Sequence, residues 1–98
     1  MTVQIEAWAV EDLMDGFAFY EKCEPGAGHY FLDRIEPEIR ELGTTGGAHR
    51  KRNGFHFCAS RRFPFGFYYK VLDDQVKVYA VLDCRLNPRT ISSILRTR

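Results

Sequence analysis

Val3, Ile5 and Ala7 alternate with Gln4 and Glu6, which is the period of a short, half-buried strand. From about Ala9 the period lengthens. Val10, Leu13, Met14, Phe17 and Tyr20 or Glu21 recur at helical spacing, so one stripe of a helix is expected to be apolar. Glu11, Asp12 and Asp15 fall in its early turns, where the helix dipole favours negative charge. Glu24-Pro25-Gly26 stops it. A second helix is expected from roughly Ala27 to Leu42, with Phe31, Ile35, Ile39 and Leu42 as its stripe. Pro37 has no N–H to offer the carbonyl of Asp33, which predicts a kink or a restart. A tight Pro-Gly turn between the two helices implies an antiparallel hairpin.

The segment Gly43–Gly54 reads as a loop, rich in glycine and then in basic residues. After it the period drops to two. Phe55, Phe57 and Ala59 alternate with His56, Cys58 and Ser60. Phe65, Phe67, Tyr69 and Val71 alternate with Gly66, Tyr68 and Lys70. After a turn at Leu72-Asp73-Asp74-Gln75, Val76, Val78, Ala80 and Leu82 alternate with Lys77, Tyr79 and Val81, so the two long strands form a hairpin. Asn87-Pro88 reads as an N-cap followed by a first-turn proline, opening a short helix with Ile91, Ile94 and Leu95 on its apolar face. The order is strand, two helices, three strands, helix. The expected architecture is α+β: a helical hairpin on one face of a small, mainly antiparallel four-stranded sheet, in a single domain spanning residues 1–98.

Alternation also sorts the sheet into two faces. One is expected to carry Phe65, Phe67, Tyr69, Val71, Val76, Val78, Ala80 and Leu82 and to meet the helices. The other is expected to carry His56, Tyr68, Lys70, Lys77 and Tyr79, with Arg61 or Arg62 and Arg85 at strand ends. Aromatic and basic groups together suit three situations: stacked bases with neutralised phosphates, an acidic or amphipathic protein partner, or a plain solvated face. Arg62, Tyr68, Lys70, Lys77, Tyr79 and Arg85 are the binding candidates. Apolar groups that the helices leave uncovered are expected to serve dimerisation or partner docking.

Charge sharpens this. The chain carries a formal net charge of +1. Residues 1–48 hold three basic and ten acidic residues, whereas residues 49–98 hold eleven basic and three acidic ones. A basic second half points to an anionic partner or to two halves folded against each other. No apolar run approaches the roughly 18 residues of a membrane span, and MTVQIEAWAVED lacks the basic-then-apolar pattern of a secretory signal, so a cytoplasmic protein is expected. Cys23, Cys58 and Cys84 form no CxxC pair, which predicts reduced, mostly packed thiols and no zinc site.

Metal-free RNA cleavage needs a base, a cation for the phosphate and an acid for the leaving group. Arg61, Arg62, Arg85 and His56 supply the residue types, with no spacing that fixes them together. No phosphate-binding glycine loop, zinc-protease motif or nucleophile elbow is present, and neither a cofactor nor a metal is expected.

The run Ser60-Arg61-Arg62-Phe63-Pro64-Phe65-Gly66-Phe67-Tyr68-Tyr69-Lys70-Val71, followed by Asp73 through Pro88, resembles the ParE/RelE toxin superfamily. It is most similar to the ParE, or plasmid stabilisation, branch. The segments from Asp12-Leu13 to Phe31-Leu32-Asp33-Arg34-Ile35 fit the helical hairpin of such toxins. The resemblance implies the toxin of a type II toxin–antitoxin system, held inactive by an antitoxin and acting on DNA gyrase. RelE-like relatives instead cut mRNA on the ribosome, and a non-toxic binding module of the same fold is a third alternative. RNA-cleaving relatives tend to carry an arginine on or next to the position of Gly66, and a tyrosine or histidine near the C-terminus. After Tyr79 this chain has neither tyrosine nor histidine, so the resemblance weighs towards a non-enzymatic, target-binding toxin.

Overall fold

The alternating segments pair into one sheet. The computed structural model describes residues 1–98. Strand β1 (Thr2–Ile5) leads into helix α1 (Ala7–Cys23), then α2 (Ala27–Arg40) and a single turn, α3 (Leu42–Thr45). Strands β2 (Lys51–Arg52), β3 (Phe55–Ala59), β4 (Phe65–Leu72) and β5 (Gln75–Asp83) follow, and helix α4 (Pro88–Arg96) closes the chain. The sheet order is β1-β5-β4-β3-β2, with β1 parallel to β5 and every other pair antiparallel.

The fold class is the expected one, with five strands rather than four. The extra strand is the two-residue β2, which lies inside the segment expected to be a loop. Asn53 and Gly54 both take positive φ (54° and 83°), the geometry of a two-residue hairpin turn whose twist matches that of the strands. Asp73 and Asp74 do the same between β4 and β5 (50° and 60°).

The α1–α2 hairpin packs on one face of the sheet. Ala9, Leu13, Phe31, Ile35, Ile39 and Leu42 meet Phe65, Phe67, Tyr69, Val76, Val78 and Val81 in one buried cluster. The buried stripe of α1 is Ala9, Leu13 and Gly16, one position away from the expected one, and Val10 and Met14 are exposed. Small residues face α2 because the helices come very close. A Cβ on Gly28 would lie 2.7 Å from the carbonyl oxygen of Phe17. Glu21 stitches the connection. Its carboxylate accepts the N–H groups of Gly26 (2.9 Å) and Gly28 (3.0 Å), and those bonds hold its carboxyl below the usual carboxylate range. Helix α2 runs past Pro37 to Arg40, so the restart comes later, at α3.

Part of the expected face assignment is wrong. Ala80 and Leu82 do not meet the helical hairpin. Across the hairpin Tyr68 pairs with Ala80 but Tyr69 pairs with Val78, so Tyr79 is an extra residue in β5. This β-bulge shifts the alternation, turning Val81 towards the hairpin and sending Ala80 and Leu82 to the opposite face. There they join Phe55, Tyr68 and Leu95 in a second buried cluster, with Ile91 and Ile94 of α4 packed against it.

Candidate functional site

The face opposite the hairpin is divided by α4. The helix starts where expected, because the Asn87 side chain accepts the N–H of Arg89 at 2.8 Å and Pro88 opens the first turn. Its apolar side covers Tyr68, Ala80 and Leu82. Tyr68 is therefore a core residue, 3% exposed, and not a surface binding group.

What α4 leaves open is an aromatic and basic strip. Lys70 places its ammonium 4.8 Å from the ring centroid of Phe55 and 5.5 Å from that of Tyr79. Arg52 sits 4.0 Å above the ring of Phe57. Lys77 lies directly opposite Lys70, and like charges so placed destabilise a strand pair. The ring faces of Phe55 and Tyr79 offset part of that repulsion. Arg89 and Arg96 line a shallow groove on α4 together with Pro88, Ser92 and Ser93. The ion pairs of the molecule are Arg40–Glu36, Arg61–Glu41, Arg85–Asp83 and Arg98–Asp12. None of them engages Arg52, Lys70, Lys77, Arg89 or Arg96, so these five cations are free for an anionic partner.

The candidates for RNA cleavage do not converge. Arg61 makes a two-pronged contact with Glu41 (3.0 and 3.1 Å), which holds that carboxyl below its usual range. The backbone N–H of Arg61 and the hydroxyl of Ser60 both donate to the buried Glu38, at 2.7 and 2.9 Å. Arg85 is taken by Asp83 at 2.7 Å, and that contact lowers the Asp83 carboxyl. Arg62 is exposed, and its backbone N–H donates to Ser60 Oγ. His56 is not on the basic face at all. It lies opposite Tyr69, stacked on that ring at 5.1 Å, on the side of the hairpin. Its Nδ1 donates to the carbonyl of His49 at 2.7 Å, since a carbonyl can only accept. The Tyr69 hydroxyl accepts the N–H of Gly47 and shares a 2.6 Å contact with His49 Nδ1, while burial raises its pKa. This network fastens the Gly43–Arg50 segment over the sheet.

Gly66 stands at the opening of β4. A Cβ there would meet the ring of Phe57, so a side chain at this position needs that half-exposed ring to move. Of the cysteines, Cys23 and Cys84 are exposed and only Cys58 is half-buried, so the thiols are free but not mostly packed. No group of three or more His, Cys, Asp or Glu side chains is placed to hold a metal ion. No helix is long and apolar enough to cross a membrane.

One constellation had no sequence signal. Arg98 donates to both carboxylate oxygens of Asp12, at 2.6 and 3.0 Å, and to the carbonyl of Tyr79 at 3.0 Å. Asp12 also accepts the N–H of Val81 at 3.0 Å. The two side chains are 12% and 10% exposed. Helix α1 begins at Ala7, so Asp12 lies beyond its first turn and faces β5, away from the helix end. The pair lies 86 residues apart in sequence, beyond the reach of any local pattern.

No family model and no curated protein matches this chain. Among solved structures, a chain described as "Chromosomal ParDE TA system from P. aeruginosa" superposes with a TM-score of 0.73 at 19% identity. The match covers 83% of this chain and 92% of that one. A hairpin of helices on one side of a mainly antiparallel sheet is thus a ParE-like fold, shared with that chain of a ParDE system.

Proposed function

We propose that this protein is the toxin of a type II toxin–antitoxin pair, working in the cytoplasm as a single domain. It binds a protein target, DNA gyrase first among the candidates, and an antitoxin neutralises it. The observation that carries this reading is the shared fold with a chain of a ParDE system over most of both lengths. The five unpaired cations support it, because they suit an acidic surface or an acidic antitoxin segment. Lys70, Lys77 and Tyr79 form the centre of the binding strip with Arg52, and Arg89 and Arg96 add charge on the outer side of α4. Arg62 and Arg85, the other two expected binding residues, are not part of it: Arg62 lies beside Asp33, Pro37 and Glu38 of α2, and Arg85 beside Asp15 and Phe19 of α1, on the hairpin side.

Cleavage of ribosome-bound mRNA has less support. Arg61 and Arg85 are paired with carboxylates, His56 lies on the other face, and Gly66 carries no side chain to meet a phosphate. A function therefore rests on grip and not on acid–base chemistry. Expression of the chain alone should arrest growth, and purified protein should inhibit gyrase supercoiling. Lys70→Glu with Lys77→Glu should relieve the arrest. Normal supercoiling at saturating protein removes gyrase as target. Cleaved mRNA in arrested cells would favour the interferase instead, and normal growth would leave a non-toxic binding module.

A further inference from the structure

A second surface differs in character from the basic strip. Between α1 and the segment leading into α4 runs an open groove of about 420 Å³. Its floor is apolar: Gly16 of α1 with Phe65, Val81 and Leu82 of the sheet. Phe19, Leu86 and Ile94 form its walls, and Phe19 and Leu86 are 56% and 39% exposed. Two aromatic or branched side chains held in water beside a ready cavity are a feature of recognition surfaces.

Charge narrows the occupant. Three carboxylates line this groove, Asp12, Asp15 and Asp83. Arg98 neutralises Asp12 and Arg85 neutralises Asp83. Asp15 has no ion-pair partner. The groove therefore offers apolar walls with one uncompensated negative charge, the reverse of the basic strip. A basic group placed there gains a partner, and an acidic one meets repulsion.

We propose that this groove captures a polypeptide segment of a protein partner in which an apolar side chain stands next to a lysine or arginine. The apolar side chain fills the cavity between Phe19 and Leu86, and the basic group pairs with Asp15. Peptide capture here is independent of whether the chain acts as a toxin.

The test uses the whole chain, isotope-labelled, titrated with acetyl-Trp-Lys-amide and with acetyl-Trp-Glu-amide. The lysine peptide should shift the amide resonances of Gly16, Phe19 and Leu86, and bind about fivefold tighter than the glutamate peptide, as expected for one exposed charge pair. Asp15→Asn should shrink that preference to about twofold or less. Leu86→Ser, at an exposed position, should weaken both peptides while leaving the spectrum of the fold intact. Equal binding of the two peptides, binding that maps outside the groove, or no binding at millimolar concentration would each overturn the proposal. So would self-association without peptide that Leu86→Ser abolishes, because the groove would then belong to a second copy of the chain.

Discussion

The two faces of the sheet differ in how they are covered. On the hairpin side, twelve buried residues from three helices and two long strands form one contiguous core. On the α4 side, four buried sheet residues meet Leu95 of a nine-residue helix, and the rest of the face is left to lysines and arginines lying over aromatic rings. The same strands supply both. Half-coverage thus leaves the basic strip open: a longer final helix would cover the cations, and none would expose Tyr68, Ala80 and Leu82.

The largest expected effect breaks the dense side. Phe31 is fully buried, with ring centroids of Tyr20, Phe63 and Phe65 within 5.0 to 5.3 Å. Phe31→Ala should cost about 3–5 kcal/mol in urea unfolding. Leu95→Ala, on the α4 side, should cost about 2 kcal/mol, since the shorter helix can resettle into the gap. Equal losses would mean that the two clusters act as one core and that the contrast between the faces is superficial.

Next in size is the ion pair that ties α1 to the chain after α4. Arg98→Ala leaves the nearly buried Asp12 carboxylate without its cation and should cost about 2–3 kcal/mol. It should also raise hydrogen exchange in α4 more than in α1 or α2. Uniform exchange across all helices would show that the pair does not hold α4 in particular.

The smallest effect is on acid stability. Glu21 is ionised and bonded to two N–H groups in the folded state, so its carboxyl is depressed relative to the unfolded chain. Its contribution is present above the unfolded value and is lost as pH falls through the folded one. Glu21→Gln keeps an acceptor oxygen but cannot titrate. Its stability should therefore fall less steeply than that of the parent below about pH 4. Parallel acid limbs would remove Glu21 from the account.

The periodicity of the chain carried most of this fold. Phe65, Phe67, Tyr69, Val76 and Val78 lie on the expected face, and Asn87-Pro88 starts the final helix. The failures have local causes. From Val78 to Leu82 every residue is apolar or aromatic, so alternation cannot reveal the extra residue at Tyr79 that moves Ala80 and Leu82. Ala9 and Gly16 carry too little apolar surface to mark the buried side of α1, whereas the exposed Val10 and Met14 mark the wrong one. Asn53-Gly54 was a legible turn signal inside a segment otherwise read as loop. Of the binding candidates, Lys70, Lys77 and Tyr79 remain on the open strip, while Tyr68 is covered. His56 was misplaced because β3 presents Phe55 and Phe57, not His56, to the α4 side.

The bond between Asp12 and Arg98 has one more consequence. Strand β1 accompanies β5 only as far as Val78, so the last five residues of β5, paired with β4 on one side, border no strand on the other. A bare ribbon of amide groups invites the same ribbon of another molecule, and from that contact fibres grow. Here a carboxylate occupies the N–H of Val81 and a guanidinium occupies the carbonyl of Tyr79. Two side chains thus stand in for the missing continuation of β1, and this edge of the sheet is closed to another copy.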